Sequence, residues 1–272
     1  MEDNGFRDRV VAITGSARGI GKNIARAFGL AGAHIVICDI DKKPGQATRD
    51  ELCRREIDAT FLFSDLSRKR APQKMVRQIA QKFGRLDILI NNAGAGKKRP
   101  WMKEDEESWE EGISVTLRAA FFASQEAIRV MSKQGGGSII NISSVAAFLT
   151  CHQSPVYHIA KAGLLQMTRY LASQAGSYGV RINTVSAGFI VRDEDRDHYE
   201  RSTNRRYRKI AEFCHPLRRV GTSDDVANAV MFLCSPKASF ISGQSLIVDG
   251  GLVLQEQSGL VFRFAGKRKK RI

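Results

Sequence analysis

Three residues of this chain have the types and spacing for proton exchange with a substrate oxygen: Ser144, Tyr157 and Lys161. Tyr157 and Lys161 are four positions apart, so on a helix they share a face. A free phenol, with a pKa of ~10, is a poor base near neutrality. An ammonium group beside it stabilises the phenolate and lowers that pKa, which makes the pair a workable general acid and base. Ser144 stands 13 residues before Tyr157 and offers a hydroxyl to hold a carbonyl or alcohol oxygen. The same Tyr and Lys spacing also occurs on a plain amphipathic helix with a packed Tyr and a solvated Lys. The Ser144 offset and a glycine-rich loop upstream favour the chemical reading. His158 adjoins Tyr157 but is turned about 100° around the helix, so it is expected to face elsewhere. His152 is read as structural or exposed. No His, Cys and Asp grouping has metal-ligand spacing, so no metal is expected.

The glycine loop is Thr14-Gly15-Ser16-Ala17-Arg18-Gly19-Ile20-Gly21, which joins an apolar run at 10–13 to a helical pattern at 21–30. Gly15 permits a sharp turn, Gly19 lets backbone approach a diphosphate, and Gly21 lets the helix pack close to the strand. The N–H groups and dipole of the helix N-terminus attract phosphates, so Gly15, Ser16, Arg18, Gly19, Ile20 and Gly21 are the expected cradle. Glycines are also what any tight strand-to-helix turn needs. Asp39, 18 residues beyond Gly21, ends the second strand pattern, where a carboxylate accepts from ribose hydroxyls and repels a 2′-phosphate. That points to NAD, with NADP disfavoured; Arg18 pulls the other way.

Strand patterns at 10–13, 33–38, 59–63, 86–90, 138–142, 180–185 and 244–248 alternate with helical patterns at 21–30, 46–55, 72–83, 109–131, 156–178 and 223–233. Such alternation predicts an α/β fold, a doubly wound parallel sheet with helices on both faces (Rossmann-like), with ligands at the carboxyl ends of the strands. One domain over residues 1–252 is expected, with a C-terminal extension over 253–272.

The glycine loop, Asn91-Asn92-Ala93-Gly94 after the fourth strand pattern, Ser144, and Tyr157 with Lys161 together resemble the short-chain dehydrogenase/reductase family. So do Val220-Gly221, Asp225-Val226-Ala227, Ser242-Gly243-Gln244 and Val248-Asp249-Gly250-Gly251, and the likeness spans roughly residues 8–252. The resemblance implies hydride transfer between a nicotinamide cofactor and a secondary alcohol or ketone. In it Ser144 positions the substrate oxygen, Tyr157 exchanges the proton, and Lys161 also binds the nicotinamide ribose. It further implies that Asp65 and Leu66 line an adenine pocket, that Asn92, Ala93 and Gly94 pass beneath the adenosine ribose, and that Gly188 and Ile190 lie near the nicotinamide carboxamide. It implies a homo-oligomer, a dimer or homotetramer, through the helices at 109–131 and 156–178. Three positions depart from the family pattern. Thr116 replaces an Asn that holds a water linking the lysine to solvent. Ala187-Gly188 replaces Pro-Gly, and Arg192 replaces a Thr; Arg192 is expected to meet the cofactor diphosphate or an anionic substrate, or to point to solvent. Two alternatives remain: a 3-oxoacyl-[acyl-carrier-protein] reductase, and a nucleotide-sensing or scaffold member without turnover.

The formal charge of +15 raises nucleic-acid binding as a function, but no recognisable nucleic-acid motif accompanies the clusters at 97–99, 205–209 and 267–271, so none is expected. The segment at 189–219, rich in both charges, is expected to cover the active site. With Lys97, Lys98 and Arg99 on the same rim, it suggests a small anionic substrate; a solvated helix of mixed charge explains it equally well. Ala146, Phe148, Leu149 and Phe189 suggest a partly apolar inner pocket. Five cysteines without Cys-x-x-Cys spacing argue for a reducing compartment, Cys38 and Cys234 being core residues. No apolar run reaches the ~18–20 residues that cross a bilayer, and no leader pattern opens the chain, so a cytoplasmic location is expected. Leu260, Val261, Phe262 and Phe264 are expected to pack on a neighbouring subunit; contact of the tail with an anionic surface is the alternative.

Overall fold

The computed structural model of the chain describes residues 5–96 and 98–266. Lys97 and the basic run at 267–271, both singled out above, lie outside them. The first half of the chain alternates strictly: β1 (Val10–Thr14), α1 (Gly19–Leu30), β2 (His34–Asp39), α2 (Lys42–Cys53), β3 (Ala59–Phe63), α3 (Ala71–Phe83) and β4 (Ile88–Asn91). Then come α4 (Glu106–Ile113), α5 (Ala119–Met131), β5 (Gly137–Ser144), α6 (Pro155–Ala175), β6 (Val180–Ala187), β7 (Ile190–Val191), α7 (Arg196–Glu200), α8 (Arg205–Cys214), β8 (Gly221–Thr222), α9 (Ser223–Cys234), β9 (Ser245–Val248) and α10 (Gln257–Phe264).

Seven parallel strands form one sheet in the order β3-β2-β1-β4-β5-β6-β9, and β7 pairs with β8 in a small parallel ribbon. The expected α/β, doubly wound, single-domain architecture is therefore what the chain adopts. Residue parity within the strands explains the two faces. In β1, Ala12 and Val10 bury with Met75, Val76, Ile79, Ala123 and Leu164 from α3, α5 and α6. Their neighbours Val11 and Ile13 point the other way, onto Ile24, Phe28, Val226 and Val230 from α1 and α9. Both faces are covered, which is why the strands read as continuous apolar runs. Burying each such side chain is worth ~1.5–3 kcal/mol. α9 is fixed at its start by a capping box in which the Thr222 hydroxyl accepts from the Asp225 N–H (3.2 Å) and the Asp225 carboxylate accepts from the Thr222 N–H (2.8 Å).

Two helices differ from the sequence-based expectation. α2 begins at Lys42 rather than 46, because Pro44 falls in the first turn, where a missing N–H costs nothing. The expected long helix at 109–131 starts earlier, at Glu106, capped by the Asp105 carboxylate accepting from the Ser108 N–H at 2.9 Å, and it runs on through a π-helical turn at Ser114–Arg118 that divides it into α4 and α5. Among the described residues no helix is long and apolar enough to cross a membrane.

The C-terminal segment lies on its own chain. Phe264 of α10 meets Phe213 of α8 edge-on (5.2 Å between centroids), and the Gln255 side chain donates to the Cys214 carbonyl. Val261 and Phe262 remain exposed, so part of the apolar patch has no cover among the described residues.

Candidate active site

The strand order reverses between β1 and β4, and the loops leaving their carboxyl ends meet there. A Cβ on Gly15 would lie 2.9 Å from the Ala93 Cα, and Gly15 has φ +62, so only glycine allows this meeting. Thr14 ties the loops together: its hydroxyl accepts from the Asn92 and Ala93 N–H groups, both at 3.0 Å. The Asn92 amide donates to the Thr14 and Gly15 carbonyls at 2.9 and 2.8 Å. Thr14 was quoted in the loop motif but not expected as a site residue. Its signal is a hydroxyl at the last position of a strand that ends at the switch point.

A cavity of about 410 Å³ opens over this junction. Ten of the expected cofactor residues line it: Gly15, Arg18, Gly19, Ile20, Asp39, Asp65, Leu66, Asn92, Ala93 and Gly94. Asp41, Glu111 and Val115 line it as well and were not expected there, whereas Arg192, one of whose three expected positions was beside a cofactor diphosphate, lines it too. Ser16 is turned inward, its hydroxyl donating to the Ile13 carbonyl at 2.7 Å, because the side chain is fully buried beneath the loop. Gly21 packs under Gly15, where a Cβ would come within 2.5 Å of the Gly15 carbonyl oxygen, so its part is the expected close packing. Gly188 lies against Asp249, where a Cβ would be 2.6 Å from the Asp249 Cβ. Ile190 pairs with Gly221 in the β7–β8 ribbon. Neither Gly188 nor Ile190 lines the cavity.

The donor set suits a dinucleotide. α1 opens with no acidic residue in its first turn and no side-chain cap, so its N–H groups are available to an anion. One Asp39 oxygen accepts from the Ala17 N–H (2.9 Å) and the other from the Asp41 N–H (3.0 Å), which fixes the carboxylate at the cavity edge and braces the glycine loop. Arg18 is turned to Asp41 at 2.5 Å. Asp65 accepts from the Ser67 N–H and hydroxyl and from Arg68, and the Ser67 hydroxyl is the main cause holding its carboxyl below the usual range.

Ser144 ends β5, and Tyr157 and Lys161 lie in the first two turns of α6. The Ser144 hydroxyl accepts from the Ala146 N–H at 3.2 Å. Burial pushes the Tyr157 phenol up, against the opposing effect of Ser144. Lys161 is enclosed, and burial pulls its ammonium down to about 8. Its Nζ donates to the Ile142 carbonyl at 2.8 Å and lies 5.6 Å from the centroid of the Tyr157 ring. The expected lowering of the phenol pKa by the lysine is therefore not what this structure shows. Desolvation dominates for both groups, Lys161 being buried and Tyr157 partly buried. Thr116, in the π-helical turn, accepts the Ala95 N–H at 3.3 Å. Gly94 lies between the two groups: a Cβ there would be 3.7 Å from Lys161 Nζ and 3.7 Å from Thr116 Oγ1.

A second cleft, of about 880 Å³, borders α6 and is lined by Ala146, Phe148, Leu149, Trp101, Lys98 and Arg99 among others. His158 lies on it, with its ring edge-on to that of Tyr157 at 6.4 Å between centroids. Its Nε2 accepts from the Cys151 N–H (3.1 Å), so Nδ1 carries the proton and donates to the Ser154 carbonyl (2.9 Å). His152 lines the same cleft and is exposed. Phe189, expected in the inner pocket, sits among Tyr199, Tyr207 and His215 of the covering segment. Among the described residues, no group of three or more His, Cys, Asp or Glu is arranged to hold a metal ion.

A family profile described as enoyl-(acyl carrier protein) reductase matches residues 15–253. The chain is 37% identical over 250 residues to a (2S)-[(R)-hydroxy(phenyl)methyl]succinyl-CoA dehydrogenase subunit of Thauera aromatica, covering 91% of this chain and 97% of the relative. It is 33% identical over 242 residues to a 3-oxoacyl-[acyl-carrier-protein] reductase of Chlamydia pneumoniae, covering 89% of this chain and 96% of that one. The solved structure of a short-chain type dehydrogenase/reductase from Mycobacterium ulcerans superposes with a TM-score of 0.84 at 29% identity, covering 96% of this chain and 97% of that one. The chain belongs to the short-chain dehydrogenase/reductase family of oxidoreductases, whose members use NAD or NADP and act on small-molecule substrates.

Proposed function

We propose that this chain interconverts a secondary alcohol and a ketone with NAD(H), using Ser144, Tyr157 and Lys161 as its catalytic residues. The observation that carries the reading is the position of Gly94. It closes the dinucleotide-sized cavity and at the same time approaches Lys161 Nζ, so the proton-handling residues abut the cofactor site. Hydride transfer is the chemistry a nicotinamide dinucleotide supplies when bound. The chain's own task is the proton. Ser144 holds the substrate oxygen beside the Tyr157 phenol, whose rise in pKa it opposes. In reduction Tyr157 gives its proton to the forming alkoxide, and in oxidation it removes the alcohol proton. Lys161, when charged, stabilises the phenolate so formed and would hold the nicotinamide ribose. Thr116 would stand where the proton path leaves Lys161. Gly15, Arg18, Gly19 and Ile20 would hold the phosphates, Asp39 the adenosine ribose, and Asp65, Leu66, Asn92 and Ala93 the adenosine half.

Asp39 supports NAD(H) over NADP(H), since its fixed charge repels a 2′-phosphate. The covering segment and the cationic residues Lys98 and Arg99 at the second cleft support an anionic substrate. A 3-oxoacyl group on a carrier is the second reading, favoured by that cationic rim and by the names of the Thauera and Chlamydia relatives, which specify acyl-CoA and acyl-carrier substrates. The exposed Ile159 and Tyr170 on α6 support a twofold dimer or tetramer through α5 and α6. The test is an assay of NAD+ and NADP+ reduction, and of NADH and NADPH oxidation, across alcohols, ketones and 3-oxoacyl thioesters, run beside Tyr157→Phe. Turnover that survives in Tyr157→Phe would overturn the mechanism.

A further inference from the structure

The stretch after β7 crosses the mouth of the cofactor cavity. Arg192 is among the cavity's lining residues, although it stands far from the glycine loop in sequence. A Cβ on Gly19 would lie 3.0 Å from Arg192 Cδ and 3.4 Å from Glu194 Oε1, so the arginine stem runs directly over the loop that opens α1. The position of this stretch is held from below: the Asn23 amide of α1 donates to the Asp193 carboxylate at 3.1 Å. The guanidinium itself is turned to acids of its own segment, Asp195 at 2.7 Å and Glu194 at 3.6 Å. Both carboxylates are partly exposed, and such pairs are worth only ~0–1 kcal/mol. A diphosphate placed on the α1 N-terminus would meet the two carboxylates as like charges and the guanidinium as an opposite one.

Resting on the dinucleotide reading above, we infer that Arg192 is a diphosphate-binding residue that exchanges Asp195 and Glu194 for the cofactor's phosphates. The exchange suits the chemistry of each group. Arginine forms bidentate, charge-assisted bonds to phosphate oxygens, and the two released carboxylates are left in water where they need no partner. Gly19 makes it geometrically feasible. Any larger residue at this position, already at φ +58, would meet the Arg192 stem.

The experiment is NADH binding by fluorescence titration of the full chain, with ADP-ribose and adenosine as competitors. Arg192→Ala is expected to weaken NADH and ADP-ribose about tenfold, the size of one charge-assisted hydrogen bond net of its lost ion pair, and to leave adenosine unchanged. Asp195→Asn is expected to tighten NADH about two- to threefold, because it removes a competitor for the guanidinium. Structural damage would not produce that increase. Wild-type NADH affinity in Arg192→Ala, equal losses for adenosine and ADP-ribose, or weaker binding in Asp195→Asn would each overturn the inference while leaving the dinucleotide reading intact. A wild-type chain that bound neither NADH nor NADPH would overturn the dinucleotide reading itself.

Discussion

Lys161 Nζ donates to the Ile142 carbonyl at 2.8 Å while lying 5.6 Å from the centroid of the Tyr157 ring, so one buried ammonium is anchored to the end of β5 and faces the catalytic candidate on α6. Burial raises the phenol and lowers the ammonium to about 8. Before cofactor and substrate bind, Tyr157 is therefore a neutral acid at neutral pH.

The first prediction follows from that protonation state. With a raised phenol, the acid form persists to higher pH and the base form grows only as pH rises. Ketone reduction should hold a plateau through neutrality, and alcohol oxidation should climb from neutral into the alkaline range. Profiles of kcat/KM in both directions check this; an oxidation rate that fell over that range would count against Tyr157 as the base. Tyr157→Phe should lose about 10²–10⁴-fold in turnover with NADH affinity nearly unchanged.

The second prediction concerns the cost of holding Lys161 inside. Its folded pKa, about 8, is below the ordinary lysine value of ~10.4, so the fold disfavours the proton that the unfolded chain binds. That penalty is present at neutral pH and fades as pH rises through about 8 toward the ordinary value. Lys161→Met should therefore raise Tm at neutral pH, raise it less in alkali, and abolish turnover. A variant that melted lower at neutral pH would contradict the linkage.

The third prediction is about cofactor choice. The wild type should bind NADH more tightly than NADPH. Asp39 also braces the Ala17 N–H, so Asp39→Ala should weaken NADH more than it improves NADPH. Asp39→Ala combined with Asp41→Ala should then favour NADPH further, because Arg18 loses the partner that holds it at 2.5 Å. Fluorescence titration of the three proteins with both cofactors decides this, and a wild-type preference for NADPH would end the argument from Asp39.

A fourth prediction tests the junction of the two loops. Gly15→Ala places a methyl 2.9 Å from the Ala93 Cα at φ +62, and a left-handed conformation alone costs a non-glycine residue roughly 1–2 kcal/mol. Thermal melts should show a loss of stability larger than that, and dinucleotide binding should fall with it. Unchanged melting would mean the loops separate easily.

The fifth prediction concerns the C-terminal segment. Deleting 266–272 should leave activity and oligomeric state unchanged. Truncation after residue 252 removes the Phe264 contact to Phe213 and the Gln255 bond to Cys214, so it should loosen α8 and raise KM; if α10 also covers a neighbour, it should weaken assembly. Steady-state kinetics with light scattering separate the two effects, and a wild-type KM with the wild-type oligomer would remove any role for α10.

Much of the site was legible because of where strands end. Gly15, Asp39, Asn92 and Ser144 all stand at or just past the carboxyl end of a parallel strand, so reading the strands from apolar runs already placed them on one edge. Tyr157 and Lys161 needed only helical spacing. The inward turn of the Ser16 hydroxyl was not legible, because a motif gives the position of a residue and not the direction of its side chain. The π-helical turn at Ser114–Arg118 was not legible either, because the helical pattern continues through it; what distinguishes the turn is Thr116 taking the N–H of Ala95 from another loop.

The chain's own order of residues determined the α/β alternation, the glycine loop and the spacing of Ser144, Tyr157 and Lys161, because these depend on short-range periodicity and on backbone freedom at single glycines. The tertiary structure alone decided that Arg192 lies over Gly19, that Gly94 comes close to both Thr116 and Lys161, and that burial outweighs the opposing effect of Ser144 at Tyr157. Each of these depends on which distant segments the sheet brings together and on how much water they exclude. Neither is encoded in any local stretch of the chain.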